Sequence, residues 1–217
     1  MAEWSKVIFS DESPFELDAS PNSQNDRIWA HSPAEVPNHE RNKFPGKLMV
    51  WGGMSSKGLT KLHVVRNQTS VTAEYYHGVI LENFLLPVYT RTRSTGKIDE
   101  RKMVDSMCNS IFMQDNASCH TAKSTTAWLQ SHNISVMGKG IWPANSPDLN
   151  PIENLWAILE EELKSGKNTP NNLASLEKSL LAAWSRIKPE TLRNLILSMP
   201  DWIKSVIKAK GKFVNQK

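Results

Sequence analysis

Through residue 65 the apolar positions come in short β-branched and aromatic runs separated by turn residues, the pattern of strands. Val7-Ile8-Phe9 closes in Ser10-Asp11-Glu12-Ser13-Pro14, so the sequence predicts a buried strand ending in carboxylates. Leu48 to Met54 and Leu59 to Val65, joined by Ser55-Ser56-Lys57-Gly58, predict a hairpin. Residues 16–46 contain Pro21, Pro33, Pro37 and Pro45, which predicts loops around one short strand at Arg27 to His31. The expectation is three or four antiparallel strands. From Thr72 the period changes: Tyr75, Tyr76, Val79, Ile80 and Phe84 fall at helical spacing, and Pro87 is expected to end that helix.

Arg91 to Asn109 is polar and basic and reads as an exposed loop. Ile111 to Gln114 then predicts a strand running into Asp115-Asn116, followed by a helix over Thr121 to His132 and a strand over Ile134 to Met137, the order of an α/β layer. After the turn-rich Trp142 to Asn150 a helix begins with Asn150 as N-cap and Pro151 at N1. Its apolar stripe is Ile152, Leu155, Trp156, Leu159 and Leu163, with Glu153 at N3 beside it. Two further helices are predicted, over Leu173 to Ile187 and over Pro189 to Lys208.

Composition narrows the class without naming a chemistry. With 39% hydrophobic and 22% charged residues over 217 positions, the chain is globular rather than disordered or repetitive. Cys108 and Cys119 form neither a disulfide framework nor a paired zinc spacing, so a reducing intracellular setting is expected. No apolar run approaches the ~20 residues of a membrane span, and no apolar signal core follows Met1; a soluble, unprocessed chain with no membrane partner is expected. Charge is uneven: residues 164–217 hold 11 Lys and Arg against 3 Asp and Glu, whereas residues 1–163 hold 15 against 19. A basic end of this kind suits a polyanion, and equally suits a solvated helix face.

Phosphate-loop, dinucleotide, zincin and hydrolase-elbow motifs are absent. What remains is carboxylates at element ends: Asp11, Asp115 and Glu153, on three separate elements able to meet at one sheet edge. Such a trio suits Mg²⁺ or Mn²⁺, hard cations that take oxygen ligands and keep positions for water and phosphate oxygens. Two ions about 3.5–4 Å apart serve in-line phosphoryl displacement. Each carboxylate also has a plainer reading: Asp11 as a turn cap, Asp115 in an Asx-turn with Asn116, and Glu153 in a capping box.

The order of several motifs adds to this. Ser10-Asp11-Glu12-Ser13, Met49-Val50-Trp51-Gly52-Gly53, Gln114-Asp115-Asn116-Ala117-Ser118-Cys119-His120 and the long block Trp142 to Trp156, with Ser198-Met199-Pro200 and Val206 to Gly211 beyond, resemble the mariner superfamily of DDE transposases over nearly the whole chain. The resemblance implies an α/β, ribonuclease-H-like fold, a mixed central sheet flanked by helices. The catalytic core would span residues 1–165, with a basic helical extension over 166–217 packed on it. It implies Asp11, Asp115 and Glu153 as catalytic, metal-binding carboxylates for Mg²⁺ or Mn²⁺, two ions, and no organic cofactor. It implies cleavage of DNA at transposon ends, strand transfer to target DNA, a homodimer and a nuclear location. Glu at the third position points to the nematode-type branch.

Asn116 and His120 are candidate supporting residues: Asn116 to orient Asp115 or a phosphate, His120 to approach the metals or the scissile phosphate, or simply to be structural. Trp29 is a candidate dimer contact, and Lys204, Lys208, Lys210 and Lys212 are candidate DNA contacts. The stretch between Asp115 and Glu153 and the Arg91 to Asn109 segment are longer than the family pattern. The chain starts at Trp4-Ser5-Lys6-Val7, where the family's catalytic domain starts, so specific recognition of transposon ends is not expected from it. Two classes stay open: a competent catalytic domain, or a transposon-derived DNA-binding or dimerising protein without turnover.

Overall fold

A computed structural model describes residues 4–17, 46–66, 70–89, 110–144, 146–165 and 170–211. The expected strand at Arg27 to His31, Trp29, the Arg91 to Asn109 segment, Cys108 and Lys212 lie outside the described residues. A mixed sheet stands in the middle, with β1 (Val7–Glu16) at its centre, antiparallel to β2 (Lys47–Ser55) and parallel to β5 (Ile111–Met113). β6 (Ser135–Met137) runs parallel beyond β5, while β3 (Gly58–Leu59) and β4 (His63–Val65) share the other side of β2.

Side-chain alternation along β1 divides the interior in two. Val7, Phe9 and Phe15 face one helical layer, α5 (Pro151–Ser165), α6 (Leu173–Arg186) and α7 (Pro189–Leu197), through Ile152, Leu155, Trp156, Leu180, Trp184 and Ile196. Ile8, with Trp51 and Phe112 of the neighbouring strands, faces a second layer through Tyr76, Ile80, Leu81, Leu85 and Leu129. The helices of residues 173–197 thus bury their apolar sides in the same core as β1 and β2. The last helix, α8 (Met199–Lys208), packs against the turn Pro147–Leu149.

Five boundaries differ from the sequence expectation. β1 does not end at Phe9 but continues through Asp11 to Glu16, because β2 stays paired to it from Phe9↔Met54 to Glu16↔Lys47. Only the β5 ladder stops at Phe9↔Met113, so beyond it β1 is an edge strand, where Pro14 is tolerated. The second strand of the hairpin is broken into β3 and β4, with Thr60 Oγ1 accepting from the Gly53 amide at 2.9 Å in the gap.

Pro87 does not stop the helix that Thr72 caps. Residues 73–89 form a short α1 (Ala73–Tyr75), a π-helical run Tyr76–Leu85 and α2 (Leu86–Tyr89). The buried residues Tyr76, Ile80, Leu81, Leu85 and Tyr89 recur every four to five positions, matching i→i+5 winding rather than a 3.6 period. Tyr89 is fully buried and its Oη donates to the Ser110 carbonyl at 2.8 Å, an anchor that outweighs the one bond Pro87 removes.

The helix expected over 121–132 is α3 (Ser118–Thr121) and α4 (Lys123–Ser131), separated by extended Ala122. The one expected over 189–208 is divided at Ser198 into α7 and α8, just before Pro200.

Candidate active site

The site forms where β1 and β5 part. On β1, Asp11 shares a face with Val7 and Phe9 and so points towards α5, while Glu12 points to the opposite face. Asp115 follows β5, and its Oδ1 accepts from the Ala117 amide at 2.9 Å, an Asx-turn. Glu153 is carried by the first turn of α5. The buried Asn150 places that turn: its Oδ1 caps the Ile152 amide at 3.4 Å and its Nδ2 donates to the Ser10 carbonyl at 3.3 Å, beside Asp11. Asp11, Asp115 and Glu153 line one cavity of about 480 Å³, roofed by Trp142 to Ala144 and Pro147.

Close approach of α5 to the sheet is what brings Glu153 to Asp11. Asp11 stands opposite Gly52 of β2, and a Cβ there would lie 2.8 Å from the rings of Trp156 and Trp184. Trp156 lies one turn after Glu153 on α5 and stacks on Trp184 with centroids 5.3 Å apart, and Trp184 Nε1 donates to the Thr60 carbonyl at 2.8 Å. The glycine is therefore the gap into which two indoles fit, and the helix seated by them carries the third carboxylate.

Electrostatics separate the three acids. Asp11 is pushed up to about 8, first by burial, then by the charge of Glu12 and by the hydrogen bond and charge of Glu153. Asp115 is held below its ordinary value, chiefly by its hydrogen bond to His120, against the effect of burial and with help from the Ala117 amide. Below about pH 8 Asp11 therefore keeps its proton, hydrogen-bonded to Glu153, while Asp115 stays ionised.

Among the described residues no three His, Cys, Asp or Glu side chains already stand as a metal cluster. The donor set nevertheless fits a hard divalent cation. All three groups are carboxylates, Asp11 and Glu153 stand within hydrogen-bond reach of each other, and both bonds described for Asp115 fall on Oδ1, leaving Oδ2.

Of the supporting candidates, Asn116 lines the cavity. Its Nδ2 donates to the Trp142 carbonyl at 3.3 Å, and its Oδ1 is buried without a hydrogen-bond partner among the described residues. His120 stands elsewhere. It is 3% exposed, packs its ring on Tyr76 with centroids 4.2 Å apart, and lines a separate cavity of about 340 Å³ with Gln114. Its Nδ1 lies 2.5 Å from Asp115 Oδ1 and its Nε2 lies 3.3 Å from Glu12 Oε1. Burial opposes charge on this ring, but the Tyr76 oxygen and the hydrogen bonds to Asp115, Cys119 and Glu12 together raise its pKa above the ordinary value.

Glu12, not singled out among the candidates, is thus a fourth carboxylate at the cavity. Its adjacency to Asp11 was the available signal, although alternation along a strand argues that neighbours face apart. Lys204, Lys208 and Lys210 are exposed on and just after α8, with Lys204 paired to Asp201 at 3.1 Å.

Residues 6–177 match the family model described as "DDE superfamily endonuclease". The Tc3 transposase of Caenorhabditis elegans is 34% identical over 213 residues, an alignment covering 98% of this chain and 58% of that protein. The Tc1 transposase of the same organism is 30% identical over 215 residues, covering 96% and 70%. The chain therefore spans between 58% and 70% of the length of these relatives.

Among solved structures, the catalytic domain of Mos1 mariner transposase is similar with a TM-score of 0.66 at 19% identity, covering 98% of this chain and 85% of that one. A pre-cleavage Mos1 transpososome is similar with a TM-score of 0.77 at 20% identity, covering 99% and 58%. These likenesses show the fold, a ribonuclease-H-like mixed sheet between helices.

Proposed function

Because this chain belongs to the DDE superfamily endonucleases, we propose that it is the catalytic domain of a cut-and-paste DNA transposase that cleaves transposon ends and joins them to target DNA. The observation that carries the reading is the meeting of Asp11, Asp115 and Glu153, from β1, the end of β5 and the start of α5, at one cavity. The relatives it resembles are transposases, and solved Mos1 complexes contain transposon-end DNA, Mn or Mg.

In this reading the three carboxylates hold divalent cations. Bound there, Mg²⁺ or Mn²⁺ would lower the pKa of an attacking hydroxyl and stabilise charge on the phosphate and the leaving oxygen. The chain's own residues provide the rest. Asn150 and the Trp156–Trp184 stack seat α5 so that Glu153 faces Asp11. Asn116 offers an unpaired acceptor at the cavity wall. A water oxygen, or later the freed DNA 3′ oxygen, attacks phosphorus as the bond from phosphorus to the leaving oxygen breaks; the hydroxyl proton is released and the leaving oxygen takes one from solvent. No covalent link to the protein forms.

DNA would run past the basic α8, whose exposed Lys204 and Lys208, with Lys210 just beyond, sit on a helix packed against the turn that borders the cavity. A homodimer and a nuclear location belong to the same proposal. The test is nicking of supercoiled plasmid with Mn²⁺, Mg²⁺ or EDTA, beside Asp115→Asn and Glu153→Gln. Metal-dependent nicking lost in both folded variants is expected; nicking that persists in Asp115→Asn, or that ignores EDTA, overturns the assignment.

A further inference from the structure

The parallel ladder between β1 and β5 ends at Phe9↔Met113, and beyond it no strand pairing holds the two chains in register. Two side-chain links continue across the opening. Ser10 Oγ donates to the Met113 carbonyl at 3.0 Å, and one step further the His120 ring reaches Glu12 Oε1 on β1 with Nε2 and Asp115 Oδ1 after β5 with Nδ1. Carboxylate oxygens accept, so each ring nitrogen donates.

The ring itself is fixed. Tyr76 covers one face, Tyr76 Oη donates to Gln114 Oε1 at 2.9 Å, and Gln114 Nε2 donates to the His120 carbonyl at 3.1 Å. Backbone, ring and both acids thus form one connected network in which the only members at the cavity wall are Glu12 and Asp115.

We propose that His120 is a positioning residue that cross-braces the split between β1 and β5, holding Asp115 through Oδ1 so that Oδ2 is the oxygen presented to a divalent cation, while Glu12 holds the far side of the ring. The inference rests on the reading of Asp115 as a cation ligand. Without the brace Asp115 keeps, among the described residues, only the Ala117 amide as an anchor and, being half-exposed, samples other rotamers. Partners that orient a ligating group in this way typically carry a 10–100-fold effect on metal affinity.

The two ring contacts can be separated by substitution. The amide nitrogen of Asn stands close to where Nδ1 was, and that of Gln close to where Nε2 was, so His120→Asn retains the bond to Asp115 and His120→Gln retains only the contact to Glu12. Mn²⁺ affinity of the intact chain, measured by titration calorimetry and by the solution Mn²⁺ resonance, is compared for the parent chain, His120→Ala, His120→Asn, His120→Gln and Asp115→Asn, each checked for folding by circular dichroism.

The expected result is Mn²⁺ binding lost in Asp115→Asn, weakened roughly 10–100-fold in His120→Ala and His120→Gln, and restored to within a few-fold in His120→Asn. Parent-level affinity in folded His120→Ala, equal losses in the Asn and Gln variants, or unfolding of all three overturns the brace, the last because it would make His120 a core residue only. Absence of Mn²⁺ binding by the parent chain, or binding indifferent to Asp115→Asn, instead removes the ligand reading beneath it.

Discussion

Replacing Gly52 with alanine tests whether the helix carrying Glu153 is set by indole packing. The new Cβ would stand 2.8 Å from Cη2 of Trp156 and 2.8 Å from Cη2 of Trp184. Carbon contacts settle at about 3.5–4.0 Å, so the rings must retreat by roughly 0.7 Å. Neither ring can retreat freely. Trp156 is 3% exposed, stacks on Trp184 and meets Phe15 edge-on at 6.1 Å, while Trp184 is tied to the Thr60 carbonyl.

The displacement therefore passes to α5, and Glu153, one turn before Trp156, moves away from Asp11. Overpacking of this kind costs about 1–3 kcal/mol, offset by about 0.5–1 kcal/mol because a strand interior prefers alanine to glycine. A net loss near 1 kcal/mol lowers the melting temperature by about 2–4 °C in a chain of this size. Plasmid nicking suffers more, up to about 100-fold for an ångström of misplacement. Differential scanning fluorimetry and the nicking assay read the two effects. A Gly52→Ala chain as stable and as active as its parent refutes the packing argument.

Two other outcomes follow from charge. Asp11 is held near 8 in the folded chain against about 3.9 when unfolded, so its contribution to stability is full below about pH 4 and is lost as pH rises through about 8. Urea unfolding in EDTA from pH 4 to 9 should show this decline, and Asp11→Asn should flatten it and stabilise the metal-free chain by a few kcal/mol at pH 9; parallel curves refute the shift. For DNA, replacing Lys204, Lys208 and Lys210 together by alanine should reduce the slope of log affinity against log salt by about 2 to 3, each lost phosphate contact contributing about 0.9. Fluorescence anisotropy on a short duplex measures it, and an unaltered slope removes α8 from the interface.

The site is costly to the fold that carries it. Asp11, Glu12 and Glu153 are brought together against their charge, and the cavity wall keeps an unpaired Asn116 oxygen buried. Local rules broken together at one place are the pattern expected of a site held for chemistry rather than for stability, in keeping with the proposed function. The surrounding devices are ordinary: an N-cap that also ties α5 to β1 through Asn150, and an aromatic stack that sets helix height.

What the sequence determined by itself is whatever depends on neighbours a few residues apart. The apolar run Val7 to Phe9 placed the first strand. The Asn150-Pro151 start and the stripe from Ile152 to Leu159 placed α5, and the hairpin around Lys57-Gly58 followed from its turn residues. Motif order was enough for the family. Tertiary structure decided what depends on distant partners. Pairing with β2 carried β1 past Asp11, and burial of Tyr89 carried a helix past Pro87 in π-helical winding.

Gly52 became a necessity only once two tryptophans from α5 and α6 arrived above it. His120 illustrates the difference best. Its spacing of five from Asp115 suits either a cavity contact or a core residue, and only the approach of Glu12, 108 positions away, and of the Tyr76 ring turns it from the cavity into the split between the strands. Short-range patterns are written in local propensity, whereas the protonation and orientation of a buried group depend on which charges the folded chain sets around it.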